Sequence, residues 1–149
     1  MRRVAWLRIL FRGVVWAAVY NAAWGVAWHG FMRHEWAQAA TSSGDAMPWT
    51  ADFWIIWIPL TIPFGIAISA YLDAEAQRQR PLPASLAASL VLWAPGTIGM
   101  VFSMALTPRV IVVDSAVNLV AVLFATLCVT WFVTRRARAS AEKPTSAAA

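Results

Sequence analysis

Four long apolar runs, each bounded by polar or charged residues, organise the chain. The first, Gly13–Met32, carries no charge unless His29 is protonated. As a helix it is about 30 Å long, one hydrocarbon thickness. Arg8 and Arg12 precede it at i, i+4 spacing, so the helix is expected to begin earlier and lie partly in the membrane interface. The other runs are 53–72, 84–106 and 110–133. A cleaved signal peptide competes for the first run. Its apolar stretch is too long for that, and no clean A-x-A site precedes Trp24.

The intervening stretches read as connections. Residues 33–52 form a polar loop, with turn chemistry at Thr41-Ser42-Ser43-Gly44-Asp45 and an extended approach at Met47-Pro48. Thr50 or Asp52 is a candidate cap for the second helix. Residues 73–83 are a short charged loop. Thr107-Pro108-Arg109 is tight enough to force the third and fourth runs into an antiparallel hairpin. Asp114 is expected to cap a helix starting at Ser115, in preference to lying on a longer helix, and Asn118 sits one turn deeper. Residues 1–134 read as one domain. The 135–149 tail is basic, then rich in Ala, Ser and Pro, and is expected to be disordered beyond its first few residues.

Prolines interrupt two of the runs. Pro59 and Pro63, four apart, each remove an amide donor and crowd a carbonyl one turn back, so helix two is expected to bend. Thr61 is placed to satisfy a freed carbonyl. Pro95 with Gly96 predicts a second kink, in helix three. Trp57–Ile62 and Trp93–Ile98 share the pattern W-x-P-x-T-I, but the flanks differ and the repeat reads as coincidence. The expected fold is therefore all-α: a four-transmembrane-helix bundle with Pro-kinked helices two and three.

Composition agrees. The chain is 60% hydrophobic and 13% charged, with mean hydropathy +0.61, whereas soluble domains are about a quarter charged. The net charge of +5 does not point to nucleic acid. Arg2, Arg3, Arg8 and Arg12, then Arg78 and Arg80, then Arg135, Arg136, Arg138 and Lys143 all flank apolar runs. Arg33 and Arg109 alone fall in the alternate connections. That bias predicts an N-in, C-in orientation, and a bacterial inner (plasma) membrane is the expected location. Trp24, Trp28, Trp36, Trp49, Trp54 and Trp57 then fall near the outer rim, where tryptophan favours the headgroup level.

Recognised catalytic signatures are absent: no G-x-S-x-G, H-E-x-x-H, P-loop or G-x-G-x-x-G occurs. No ionisable side chain sits at the centre of a run, which counts against a small proton-coupled exporter. Cys128, the one cysteine, reads as a packing residue.

The polar residues nearest the outer end are the candidates. Asn21, Gly25, His29 and Arg33 climb a helix at i, i+4 spacing and are expected to face other helices. Asn21, His29 and Arg33, with Glu35, Asp114 and Asn118, define a candidate outer-side polar pocket, Asp52 and Arg109 being within topological reach. His29 has three readings: an interhelical hydrogen bond to Asn118 or Asp114, a ligand contact, or a metal or haem ligand. His29 and His34 are about 140° apart on a regular helix, so they cannot chelate one ion from it. No metal or cofactor is expected.

The leading expectation is a non-enzymatic accessory, interaction or small-ligand-binding membrane subunit. The lipid bilayer is its partner, with a homo-oligomer or larger membrane complex as further assembly. A small oligomeric transporter or channel is the alternative and requires a polar path through Thr61, Thr97 and Asn118. A membrane-interface enzyme acting on a lipid-like substrate is the second alternative and requires His29 beside a carboxylate.

Overall fold

The computed structural model describes residues 2–43, 51–78, 80–103 and 107–141, with side chains for 5–38, 55–76, 78, 80–98, 101 and 107–135. Gly44, Asp45, Met47-Pro48, Trp49, Thr50, the side chains of Asp52 and Trp54, and the end of the tail lie outside the described residues. Among the described residues there are helices and no strand. Helix α1 is Arg2–Ala27, and a π-helical turn, Trp28–Met32, joins it without a break to α2, Arg33–Ser43. Then come α3, Ala51–Gln77, α4, Pro81–Ser103, and α5, Pro108–Ala141. Among the described residues four stretches are long and apolar enough to cross a membrane: Ala5–Gln38, Ile55–Ala76, Pro81–Ile98 and Pro108–Arg135.

The distribution of polarity is that of a protein dissolved in lipid. Apolar side chains such as Phe11, Ile55, Val91 and Val120 are exposed, while Thr61, Ser69, Ser85, Ser89, Thr126 and Thr130 are buried. Hydrocarbon offers no hydrogen-bond partner, so polar groups within a span must be satisfied inside the bundle.

Several element boundaries differ from the sequence reading. The first helix does not stop at Met32, and Thr41, Ser42 and Ser43 are helical, not a turn. Asp114 lies on α5, which starts six residues earlier at Pro108, so it caps nothing. Proline is at home in the first turn of a helix, where its missing N–H has no partner to lose. Helix α5 also runs through the basic cluster to Ala141. Pro59 and Pro63 lie inside α3 and Pro95 inside α4, and both helices continue past them. The Thr61 hydroxyl donates to the Ile58 carbonyl at 2.7 Å, and so to neither carbonyl that the prolines free.

Helix α1 lies against both α3 and α5, α4 packs on α5, and α3 and α4 meet sparsely. The α1–α3 crossing is close because small residues meet there. A Cβ on Gly65 would overlap the carbonyl oxygen of Gly13, and one on Gly13 would stand 2.6 Å from the Ile66 nitrogen. Ala17 and Ser69, four residues beyond each glycine, are also buried. This small-x-x-x-small pairing lets two backbones approach in a bilayer.

The buried row on the first helix is aromatic. Trp16, Tyr20, Trp24, Trp28, Met32 and Trp36 are all buried at a spacing of four. Trp16 stacks on Tyr20, with centroids 5.2 Å apart, and Trp24 on Trp28, at 5.6 Å. An α-helix turns about 400° in four residues, so such a row drifts about 40° per step. The π turn accommodates an extra residue and sets part of that drift back. Trp24, Trp28 and Trp36 therefore belong to the bundle interior and do not form a headgroup belt.

Candidate functional site

Helix α5 presents a matching row at a spacing of four, and the aromatic row running from α1 into α2 meets it through hydrogen bonds. Trp16 Nε1 donates to Thr126 Oγ1 at 3.0 Å, Tyr20 Oη to Asn118 Oδ1 at 2.8 Å, and Trp36 Nε1 to Asp114 Oδ1 at 3.2 Å. From α4, Trp93 Nε1 donates to the Ser115 carbonyl at 2.7 Å, and Ser85 Oγ pairs with Thr130 Oγ1 at 2.5 Å. On the α3 side, Asn21 Nδ2 donates to Thr61 Oγ1 at 2.8 Å and to the Ala17 carbonyl at 2.7 Å.

Two ion pairs bracket this interior. Arg12 Nη1 and Asp73 Oδ1 lie 2.6 Å apart, joining α1 to α3. Arg109 Nη2 and Glu35 Oε1, also 2.6 Å apart, join α5 to α2 at the opposite end.

The six residues of the expected outer pocket are thus divided. Asn21 pairs with Thr61, Asn118 with Tyr20, Asp114 with Trp36 and Glu35 with Arg109. His29 and Arg33 are exposed, and nothing stands within 4 Å of a Cβ built on Gly25. The ladder Asn21–Gly25–His29–Arg33 therefore turns outward after its first member. Among the described residues no bond joins His29 to Asn118, Asp114 or another carboxylate. His34 is hydrogen-bonded to Gln38 at 2.9 Å. Among the described residues no three His, Cys, Asp or Glu side chains gather as a metal site requires.

What the helices do enclose is a cleft of about 390 Å³. It lies where α3 and α4 fail to close on each other. Trp16 and Tyr20 of α1 and Asn118 and Val122 of α5 line it, with Trp57, Thr61 and Phe64 of α3 and Val91, Leu92, Pro95 and Gly96 of α4. Phe64, Val91, Pro95 and Gly96 are exposed and form its rim. Both W-x-P-x-T-I stretches border it.

Sequence reasoning named Asn118, Thr61, Pro95 and Gly96 but missed Trp16 and Tyr20. The signal was present as two rows at a spacing of four, Trp16 to Trp36 and Asp114 to Thr130. No known protein family, curated protein or solved structure matches the chain.

Proposed function

We propose that the protein is a non-enzymatic membrane subunit that takes a small apolar molecule from the bilayer into the cleft between α3 and α4. The observation that carries this reading is the cleft itself. Its volume falls within the roughly 300–1,000 Å³ of small-molecule pockets, and its make-up follows their pattern of apolar and aromatic walls with a few polar groups. The exposed rim residues belong to membrane-spanning helices, so the mouth opens sideways toward lipid. Trp16 with Thr126, Tyr20 with Asn118 and Asn21 with Thr61 are paired across helices, so Thr61 and Asn118 are engaged between helices and do not line an open polar path, which favours binding over conduction.

Orientation belongs to the same reading. N-in and C-in follow from the basic clusters, in a membrane of the bacterial inner type. Cysteines placed at His34 and Ala74 in a Cys128→Ser background should react with an impermeant maleimide from opposite sides, the first from outside. Labelling in the reverse sense would invert the orientation and leave the cleft where it is. Homo-oligomers or a larger membrane complex are the assemblies this subunit would join.

The binding test uses the purified chain in nanodiscs with 2-methylnaphthalene as probe. A guest that binds only the folded state raises the melting temperature. That rise is expected in the native chain and not in Gly96→Leu. A Cβ at Gly96 stands an ordinary 3.7 Å from Asn118 Nδ2, so the substitution is tolerated while its side chain covers the rim. No rise in the native chain, or an equal rise in both, would sink the proposal.

A further inference from the structure

Resting on the cleft as a ligand site, we infer that its guest carries a carbonyl oxygen on a flat apolar body, a molecule of the quinone class, and that Asn118 Nδ2 is the group that recognises it. A primary amide has donors on nitrogen and acceptors on oxygen. The Asn118 oxygen is occupied by the Tyr20 hydroxyl at 2.8 Å. Its nitrogen donates to no described protein group, and it is not among the polar atoms sealed inside the protein without a partner. Asn118 lines the cleft, so this nitrogen opens onto it.

The surrounding groups decide the sign of the guest's polarity. Donors on the same walls are spent: the Trp16 indole on Thr126, the Tyr20 hydroxyl on Asn118, and the Thr61 hydroxyl on the Ile58 carbonyl. Asn118 keeps a donor and asks for an acceptor. Gly96 stands over it with no side chain, leaving the amide open from the rim. Water is a poor answer in so apolar a cavity, since a buried water needs two to four polar partners. A carbonyl needs one. The aromatic faces of Trp16, Tyr20, Trp57 and Phe64 suit a flat ring more than a branched chain.

Matched probes separate this inference from the cleft reading. In nanodiscs, 2-methyl-1,4-naphthoquinone should bind the native chain roughly tenfold more tightly than 2-methylnaphthalene, the worth of one hydrogen bond. In a Tyr20→Phe background, which removes the hydroxyl that the substitution would free, Asn118→Leu should erase that preference while still binding the hydrocarbon. The carbonyl stretch of the bound quinone, read by infrared difference spectroscopy in the native chain, should fall below its value in empty nanodiscs. This measurement stands even if the variant does not fold. Equal affinities for the two probes, a preference that survives Asn118→Leu in that background, or an unshifted carbonyl stretch overturns the inference and leaves the cleft reading intact. Binding of neither probe overturns both.

Discussion

Gly65→Leu should strongly destabilise the folded protein. At the α1–α3 crossing the obstacle to a larger residue is backbone, the carbonyl oxygen of Gly13, and backbone cannot rotate out of the way. Overpacking ordinarily costs about 1–3 kcal/mol, with flexible neighbours absorbing part of the strain. Here α1 must move off α3, which also pulls apart the Asn21–Thr61 bond and the Arg12–Asp73 pair. A loss of about 3 kcal/mol or more is expected, a fall of roughly 10 °C in melting temperature for a chain of this size. Gly25→Leu is the control. Nothing stands within 4 Å of a Cβ there, so its melting temperature should barely move. Equal effects at the two glycines would mean that the crossing is not close.

Asp73→Asn should destabilise the fold more than Arg12→Met, although both remove the same ion pair. The reason is unequal burial: the Arg12 side chain is 9% exposed and that of Asp73 39%. Losing the carboxylate strands a guanidinium inside the protein. Losing the guanidinium leaves a carboxylate that can still reach water. Breaking a fully buried pair costs about 3–5 kcal/mol, and the exposure of Asp73 reduces this to about 2 kcal/mol for Asp73→Asn. Arg12→Met should cost about 1 kcal/mol or less. Thermal unfolding in one detergent should therefore show a drop of roughly 6 °C for the first and under about 3 °C for the second. The reverse order would place the charge burden on Asp73.

Some of the site is legible in the sequence. Thr61, Pro95, Gly96 and Asn118 stood out because polar and helix-breaking residues inside apolar runs are rare enough to notice. Trp16 and Tyr20 did not, because an aromatic residue in a spanning helix suits core, lipid and headgroup alike. Both sides of the row Trp16 to Trp36 lie in the sequence, yet its inward direction follows only from the acceptors Thr126, Asn118 and Asp114 on a helix some hundred residues away. The opposite error concerned His29 and Arg33. They extend a polar ladder from Asn21, but the helix turns about 40° with every step of four, and by His29 the ladder has rotated out of the bundle.

The number, order and approximate limits of the spans follow from the sequence alone, because the length of an apolar run and the charges beside it are local quantities. Tertiary structure decided which face of each helix is interior. In lipid that choice is not made by hydrophobicity, since the tails are as apolar as leucine. It is made by close packing and hydrogen bonding between helices, as at Gly13 against Gly65 and Trp16 against Thr126. Those pairings join residues far apart in the chain, and the cleft is the space they leave between α3 and α4.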